Sequence, residues 1–365
     1  MTDFPLPDTA WFREFQEKLL AWFAANRRPL PWRQDYQPYH VWISEVMLQQ
    51  TQMGRGVEYF RRWISRFPDV AAVAAAERDE LLQYWEGLGY YSRLDNLHRA
   101  AQAIMARHGG TIPSQLEELQ QLPGIGGYTA AAIASIAFGR DVAVVDANVT
   151  RLFARLLDLG QPLHGGAGRR LVEKIAATLL PHGRARDYNQ AVMELGALLC
   201  TPKLPRCPAC PLAALCLARE RGTVDLRPAP RATATKSDLP MAAVALITAD
   251  GRVLLRQRPA KGMWAGLWEF PGLVLQPGED AALAITQEAR RLTGADVVLA
   301  KLARIEHHHT RYRVLLDGYL CRLTVNPEDT PAGCRWVKMG ELGTYALSAG
   351  HRRLAGLIPD LAWQH

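Results

Sequence analysis

Apolar positions recur at helical spacing through the N-terminal part of the chain and give way to strand-like runs near its C-terminal end. Residues 10–26 place Trp11, Phe15, Leu19, Leu20, Trp22 and Phe23 on one side of a predicted helix, which the segment Arg27-Arg28-Pro29-Leu30-Pro31-Trp32-Arg33 breaks. A second helical pattern carries the run 42–52 and continues through Phe67. Within that run Glu45 is the one carboxylate among apolar and amide side chains. Leu48, Gln49 and Gln52 follow it at i+3, i+4 and i+7, which predicts a shared helix face. Gly87-Leu88-Gly89-Tyr90-Tyr91 interrupts the helices. Over residues 119–138 a helix ends before Pro123, a hairpin forms at Pro123-Gly124-Ile125-Gly126-Gly127, and a small-residue helix begins near Tyr128. A short apolar run then leads to Asp146 and an amphipathic helix with Leu152, Leu156 and Leu157.

The composition changes after the last of a group of cysteines. Residues 217–240 are rich in Pro, Thr and Arg without apolar period, and read as a linker. Beyond it, two strands joined by Asp250-Gly251 are followed by a loop at Phe270-Pro271-Gly272, a helix near 280–292 and further strands. The expected organisation is a helical domain over 1–216, a linker over 217–240 and an α+β domain over 241–365.

Chemistry-bearing residues sharpen this outline. Flanked by Trp42 and Leu48, with no Lys or Arg within a turn, Glu45 should be desolvated and hold a proton near neutral pH; the plain alternative is a solvated surface Glu. The aromatic and guanidinium groups of Arg28, Trp32 and Arg33 can engage a base, while Trp32 would serve equally as a core plug. Glycines at 124, 126 and 127 expose backbone N–H groups to a phosphate and predict sequence-independent contact with a DNA backbone; the alternative is a plain helical hairpin. Asp146 reads first as an N-cap, a role that fixes a carboxylate's direction. Cys200-x6-Cys207-x2-Cys210-x5-Cys216 is a metal motif whose spacing alone leaves zinc and an iron–sulfur cluster open. Four of six cysteines in so short a stretch argue against a disulfide framework, and no apolar run approaches membrane-spanning length, so a cytoplasmic protein is expected. The net charge of +7 permits an anionic partner, but no polybasic block occurs, so DNA contacts must come from placed residues. His307, His308 and His309 alternate faces on a strand and read as surface polar residues rather than ligands.

Taken together, SEVMLQQTQ, GLGYYSR, LPGIGGYTA, VVDANVTR and the cysteine loop closely resemble the MutY-type adenine DNA glycosylases of the endonuclease III, helix-hairpin-helix superfamily. The resemblance covers nearly the whole chain and is most specific over residues 28–216. It implies an all-α glycosylase domain, a six-helix barrel facing an iron–sulfur cluster domain, followed by an α+β Nudix-like domain for lesion recognition. It implies a monomeric base excision repair enzyme that releases adenine mispaired with 8-oxoguanine or guanine in double-stranded DNA, with a 4Fe-4S cluster on Cys200, Cys207, Cys210 and Cys216. Glu45 falls on the general acid that protonates adenine at N7, and Asp146 on the carboxylate that stabilises the oxocarbenium-like sugar. Arg28, Trp32, Arg33, Leu48, Tyr128 and Gln190 align with the adenine pocket. Gln50, Thr51, Leu88 and Tyr90 align with residues that fill or probe the duplex. His309, Thr310 and Arg311 fall on the lesion-reading turn, with Thr310 and Arg311 expected to contact 8-oxoguanine.

Two departures bear on the chemistry. Bifunctional relatives carry a Lys where this chain has Tyr128, so the Schiff-base nucleophile is absent. The Nudix box has Arg291 and Leu292 where a working hydrolase holds Mg²⁺ with carboxylates, so pyrophosphate hydrolysis is not expected. Competing readings are an endonuclease III-like lyase for damaged pyrimidines, a nucleotide hydrolase with a DNA-binding domain, and a non-catalytic mismatch binder. They are disfavoured respectively by Tyr128, by the lost carboxylates and by the retention of both Glu45 and Asp146.

Overall fold

The computed structural model describes residues 7–230, 237–259, 261–309, 311–324 and 329–358. They fall into two units, one of residues 1–75 with 96–232 and the other of residues 76–95 with 233–365. Residues 76–95, expected with the helical domain, thus group with the C-terminal residues.

The first unit holds α1 (Thr9–Asn26), α2 (Pro38–Met47), α3 (Met53–Arg66), α4 (Val70–Ala75), most of α6 (Ser92–His108), α7 (Leu116–Gln120), α8 (Gly127–Ala132), α9 (Ala147–Leu156), α10 (Gly166–Thr178), α11 (Ala185–Leu198) and a single turn, α12 (Leu217–Glu220). Asp8 starts α1 by accepting from the Trp11 N–H at 2.9 Å, an N-cap that satisfies one of the helix's free donors. The predicted apolar side of α1 packs as read: Phe15 is buried with its ring centroid 6.3 Å from Phe153 of α9 and 6.4 Å from Tyr188 of α11. A second packing centre joins α2 to α3, where buried Trp63 donates to the Tyr39 hydroxyl at 3.1 Å and that hydroxyl donates to the Phe67 carbonyl at 2.7 Å.

The run after Glu45 departs from the predicted continuous helix. α2 stops at Met47, its last bond passing from the Leu48 N–H to Ser44 O at 2.9 Å. Gln50 then adopts φ +59° and Gln52 is extended, so Gln52 does not share the face of Glu45. A left-handed non-glycine residue cannot continue an α-helix, and the chain restarts at α3. Residues 217–227 also differ from a free linker. The Asp158 carboxylate accepts from Thr223 Oγ1 at 2.6 Å and pairs with Arg221 at 3.1 Å and Arg227 at 2.7 Å, which ties the segment down.

The second unit is built on a seven-stranded sheet: β1 (Ser237–Ile247), β2 (Arg252–Gln257), β3 (Trp268–Glu269), β4 (Gly272–Val274), β5 (Ala300–His309), β6 (Tyr312–Arg322) and β7 (Cys334–Lys338). The main order is β3-β2-β1-β6-β5, with β4 beside β1 and β7 beside β2. β1 and β6 pair in parallel from Ser237↔Tyr312 to Ile247↔Arg322. The Asp250-Gly251 turn forms as read, with Gly251 at φ +80°. α13 (Ala281–Thr293) lays Ile285 and Ala289 on Ala242, Val244 and Leu246, and α14 (Ala349–Ala355) packs near β5. α5 (Arg78–Trp85) belongs to this unit. No described helix is long and apolar enough to cross a membrane.

Candidate active site

α2 carries Glu45 and the start of α8 carries Tyr128, and the two meet: the Tyr128 hydroxyl donates to Glu45 Oε2 at 2.9 Å. Glu45 keeps some exposure, yet desolvation pushes its pKa up to about 7. The Tyr128 bond and the charge of Arg33 work against that rise, while the charge of Asp146 adds to it. The expected desolvation is therefore present; Arg33, distant in sequence, is a nearby cation that local sequence gave no sign of. Burial and the carboxylates Glu45 and Asp146 push the Tyr128 phenol well above its usual range, so it remains a neutral donor.

Asp146 is the N-cap of α9, as its position predicts. Oδ1 accepts from the Val149 N–H at 2.7 Å and Oδ2 from Asn148 Nδ2 at 2.9 Å. Burial raises its pKa against those bonds. The strand-like approach to it is pinned by buried Asn189, which accepts from the Val144 N–H at 3.0 Å and donates to Val142 O at 2.8 Å. Tyr128 and Val145, the residue before Asp146, line one open cavity of about 360 Å³.

Arg28 and Arg33 converge on a residue that sequence reasoning missed, and Gln190 joins them through Arg33. Buried Glu194 of α11 accepts from the Arg28 N–H at 3.0 Å, from Arg28 Nε at 2.8 Å and Nη2 at 2.7 Å, and from Arg33 Nη1 at 3.2 Å and Nη2 at 3.0 Å. Burial alone would raise its pKa, but these donors hold it down at about 2. Arg33 Nε donates to Gln190 Oε1 at 2.9 Å, and Gln190 Nε2 donates to the Tyr36 hydroxyl at 3.3 Å and Arg186 O at 3.1 Å, which fixes the amide's orientation. The available signal was the i+4 spacing of Gln190 and Glu194 on a face otherwise buried. Trp32 is buried with its ring centroid 5.1 Å from that of Phe60, which is the core-plug arrangement. Leu48 lies at the end of α2 against Gly56, where a Cβ would strike its Cδ2. Gln50 is exposed on the left-handed turn, and Thr51 Oγ1 is buried without a hydrogen-bond partner.

The hairpin forms between α7 and α8. Gly124 takes φ +74° with a Cβ position overlapping Asn96, so only glycine fits there. Gly126 is exposed with open space about it. Leu88 and Tyr90 belong to the second unit. Leu88 is buried and Tyr90 is exposed at φ +49°. Thr310 lies outside the described residues. Arg311 is exposed and donates to the Tyr312 hydroxyl at 2.8 Å. His308 points outward as predicted, whereas His307 stacks on Trp264 with centroids 5.8 Å apart and its ring nitrogens buried without partners.

Cys200, Cys207, Cys210 and Cys216 all line one cavity with Arg155 at its wall. Burial pushes the Cys210 thiol up to about 11, and the other three sulfurs add to the rise. Such mutual repulsion of thiolates is relieved by bound metal. Among the described residues no group of three or more His, Cys, Asp or Glu side chains is placed to hold a metal ion, although all four cysteines line the one cavity. Arg155 Nη1 reaches Cys200 Sγ at 3.4 Å and Arg151 Nε donates to Cys200 O at 2.7 Å. These arginines, spaced i and i+4 on α9, were also missed by sequence reasoning. The residues present fit a thiolate-bound cluster.

The helical fold, its hairpin, and a desolvated Glu45 bonded to Tyr128 under the charge of Asp146 fit a base excision repair glycosylase. Residues 43–177 match the HhH-GPD superfamily base excision DNA repair protein, and residues 242–356 match the NUDIX domain. An adenine DNA glycosylase of Mus musculus is 34% identical over 408 residues, covering 97% of this chain and 79% of its own length. The Homo sapiens enzyme of the same name is 34% identical over 405 residues, covering 95% and 74%. A thermostable thymine-DNA glycosylase structure superposes with a TM-score of 0.53 at 27% identity, over 58% of this chain and 98% of that one. Endonuclease III bound to DNA shares the fold, with a TM-score of 0.52 at 23% identity over 60% and 99%. The chain belongs to the adenine DNA glycosylase family and carries that family's activity in base excision repair.

Proposed function

We propose that this adenine DNA glycosylase is monofunctional, cytoplasmic and monomeric, and that its substrate is adenine opposite 8-oxoguanine or guanine in duplex DNA. The observation that carries the chemistry is Glu45, held near pKa 7 by burial and hydrogen-bonded to Tyr128, with the charge of Asp146 acting on it. Adenine must leave the duplex to enter such a pocket. Glu45 then donates its proton to adenine N7, and the bond from the sugar C1′ to N9 breaks with its electron pair passing to the base. Asp146 faces the cationic sugar that remains, its direction set by the cap bonds to α9. Water adds at C1′ and its proton returns to the Glu45 carboxylate. Arg28, Trp32, Arg33, Leu48 and Gln190 shape and brace the adenine pocket, the Glu194 bonds keeping both guanidinium groups in place.

Tyr128 supports the monofunctional assignment, since a neutral phenol cannot form a Schiff base. Gly124 and Gly126 present hairpin amides to a backbone phosphate, and Gln50, Thr51, Leu88 and Tyr90 enter or probe the duplex. Thr310 and Arg311 contact the lesion. Cys200, Cys207, Cys210 and Cys216 hold a 4Fe-4S cluster, which when bound supplies thiolate-ligated iron that cross-links the loop. The test is single-turnover release of adenine from duplexes with adenine opposite 8-oxoguanine, guanine or thymine, with borohydride added to trap any imine. Release opposite 8-oxoguanine and guanine, little opposite thymine, and no trapped adduct is the expected pattern. Equal release on all three would remove the mispair assignment, and efficient trapping would remove the monofunctional one.

A further inference from the structure

The turn that carries Leu88 and Tyr90 is braced from two directions within its own unit. From downstream, Arg93 Nη2 donates to Leu88 O at 3.3 Å and Gly89 O at 3.1 Å, with its guanidinium 5.3 Å from the Tyr90 ring centroid. Trp85 Nε1 also donates to Gly89 O at 3.1 Å. The upstream end is held by the C-terminal part of the chain. Glu86 accepts from Arg352 of α14 in a two-pronged pair, Nε to Oε1 at 2.6 Å and Nη2 to Oε2 at 2.8 Å. Arg352 also donates through Nη1 to Leu342 O at 2.9 Å and through Nη2 to Tyr345 O. Four of its five N–H groups are thus committed to protein acceptors. Gln83 Nε2 adds a bond to Thr344 O at 2.7 Å, so α5 and the residue after it are stitched to the same stretch.

The turn needs such support. Gly87 at φ +92°, Gly89 at φ +72° and Tyr90 at φ +49° form a left-handed path, and the non-glycine member stays there only when its surroundings hold it. We propose that Arg352 is a positioning residue for base release. By fixing Glu86 it sets the turn that presents Leu88 and Tyr90, so the device that enters the duplex is held by the α+β unit. This inference rests on the reading of Leu88 and Tyr90 as duplex-entering residues.

The experiment uses the full chain and compares Arg352→Met, Arg352→Lys, Leu88→Ala, Tyr90→Ala, the doubly substituted Arg352→Met with Tyr90→Ala, and the swap Glu86→Arg with Arg352→Glu. It reads single-turnover adenine release, fluorescence of 2-aminopurine placed beside the target as a report of unstacking, duplex Kd and Tm. Arg352→Met should slow release on the order of tenfold, weaken the unstacking signal, and leave Kd and Tm near those of the parent. Arg352→Lys, which keeps the charge and loses the fork, should fall between, the swap should recover part of the loss, and Tyr90→Ala should add little to Arg352→Met. Normal unstacking in folded Arg352→Met and Arg352→Lys, or full additivity with Tyr90→Ala, overturns the proposal and leaves the turn's own role standing. Normal unstacking in both Leu88→Ala and Tyr90→Ala overturns the reading on which it rests, and the proposal with it.

Discussion

Below pH 7 Glu45 holds its proton, and above it the carboxylate is charged in surroundings that penalise the charge. Its folded pKa lies above the unfolded value of 4.5, so the stability it contributes is full below pH 4.5 and is lost as pH rises through about 7. Glu45→Gln should therefore raise Tm at pH 8 relative to the parent and leave it little changed at pH 5. The same substitution should abolish adenine release while duplex binding persists, because the amide keeps the shape and has no proton to give. In the parent, single-turnover release should fall about tenfold per pH unit above pH 7; a flat profile to pH 9 would place the acid elsewhere. Glu194 behaves oppositely. Its folded pKa of about 2 lies below 4.5, so its contribution is present above pH 4.5 and disappears as pH falls through 2. Glu194→Gln should cost about 3 kcal/mol at pH 7 by leaving Arg28 and Arg33 short of their acceptor, measured by denaturant unfolding. Glu45 was legible in the sequence because an acid stood in an apolar run. Glu194 was not, because its partners come from residues 28 and 33, and only folding brings them to α11.

Among the elements, α9 and α11 approach so closely that Gly196 has no room for a side chain: a Cβ there would stand 2.7 Å from the Asn148 Cβ and 3.1 Å from its carbonyl oxygen. Asn148 in turn donates to Asp146. Gly196→Ala should push the first turn of α9 aside and lower adenine release on the order of a hundredfold, with duplex Kd nearly unchanged; parent-like release would show that the turn yields without moving the carboxylate. The periodicity marked α1 and α13 correctly, since each buries one stripe, and it also found α9, although residues 151–156 there are buried on every side. It overran at residues 48–52, where apolar and amide residues continue the helical pattern while Gln50 turns left-handed. Period reports which side chains seek burial and is blind to one backbone torsion. Within the stretch of residues 217–240 read as a linker, residues 217–227 are tied down by polar bonds to Asp158, which leave no apolar pattern to read.

Across the whole molecule, the cysteine loop should make the protein's metal content a reporter of its folding. Purified under anaerobic conditions, the chain should carry iron and sulfide with visible thiolate-to-iron absorption. Cys210→Ala should lose both, and zinc found as the sole metal in the parent would defeat the cluster assignment. The α+β unit has a different vulnerability, set by the pairing of β1 with β6. Residues 241–247 read MAAVALI, uncharged and buried throughout, and their parallel partner is the stretch around residues 316–322. A ribosome delivers β1 long before β6 exists, so the nascent strand must wait with one edge unpaired while the helix of residues 281–293 emerges. Premature termination inside that interval yields a chain with a sticky, amyloid-like edge rather than a merely shortened enzyme. Nonsense alleles within residues 250–310 should therefore be cleared as aggregates, while one stopping before Ser237 escapes that fate.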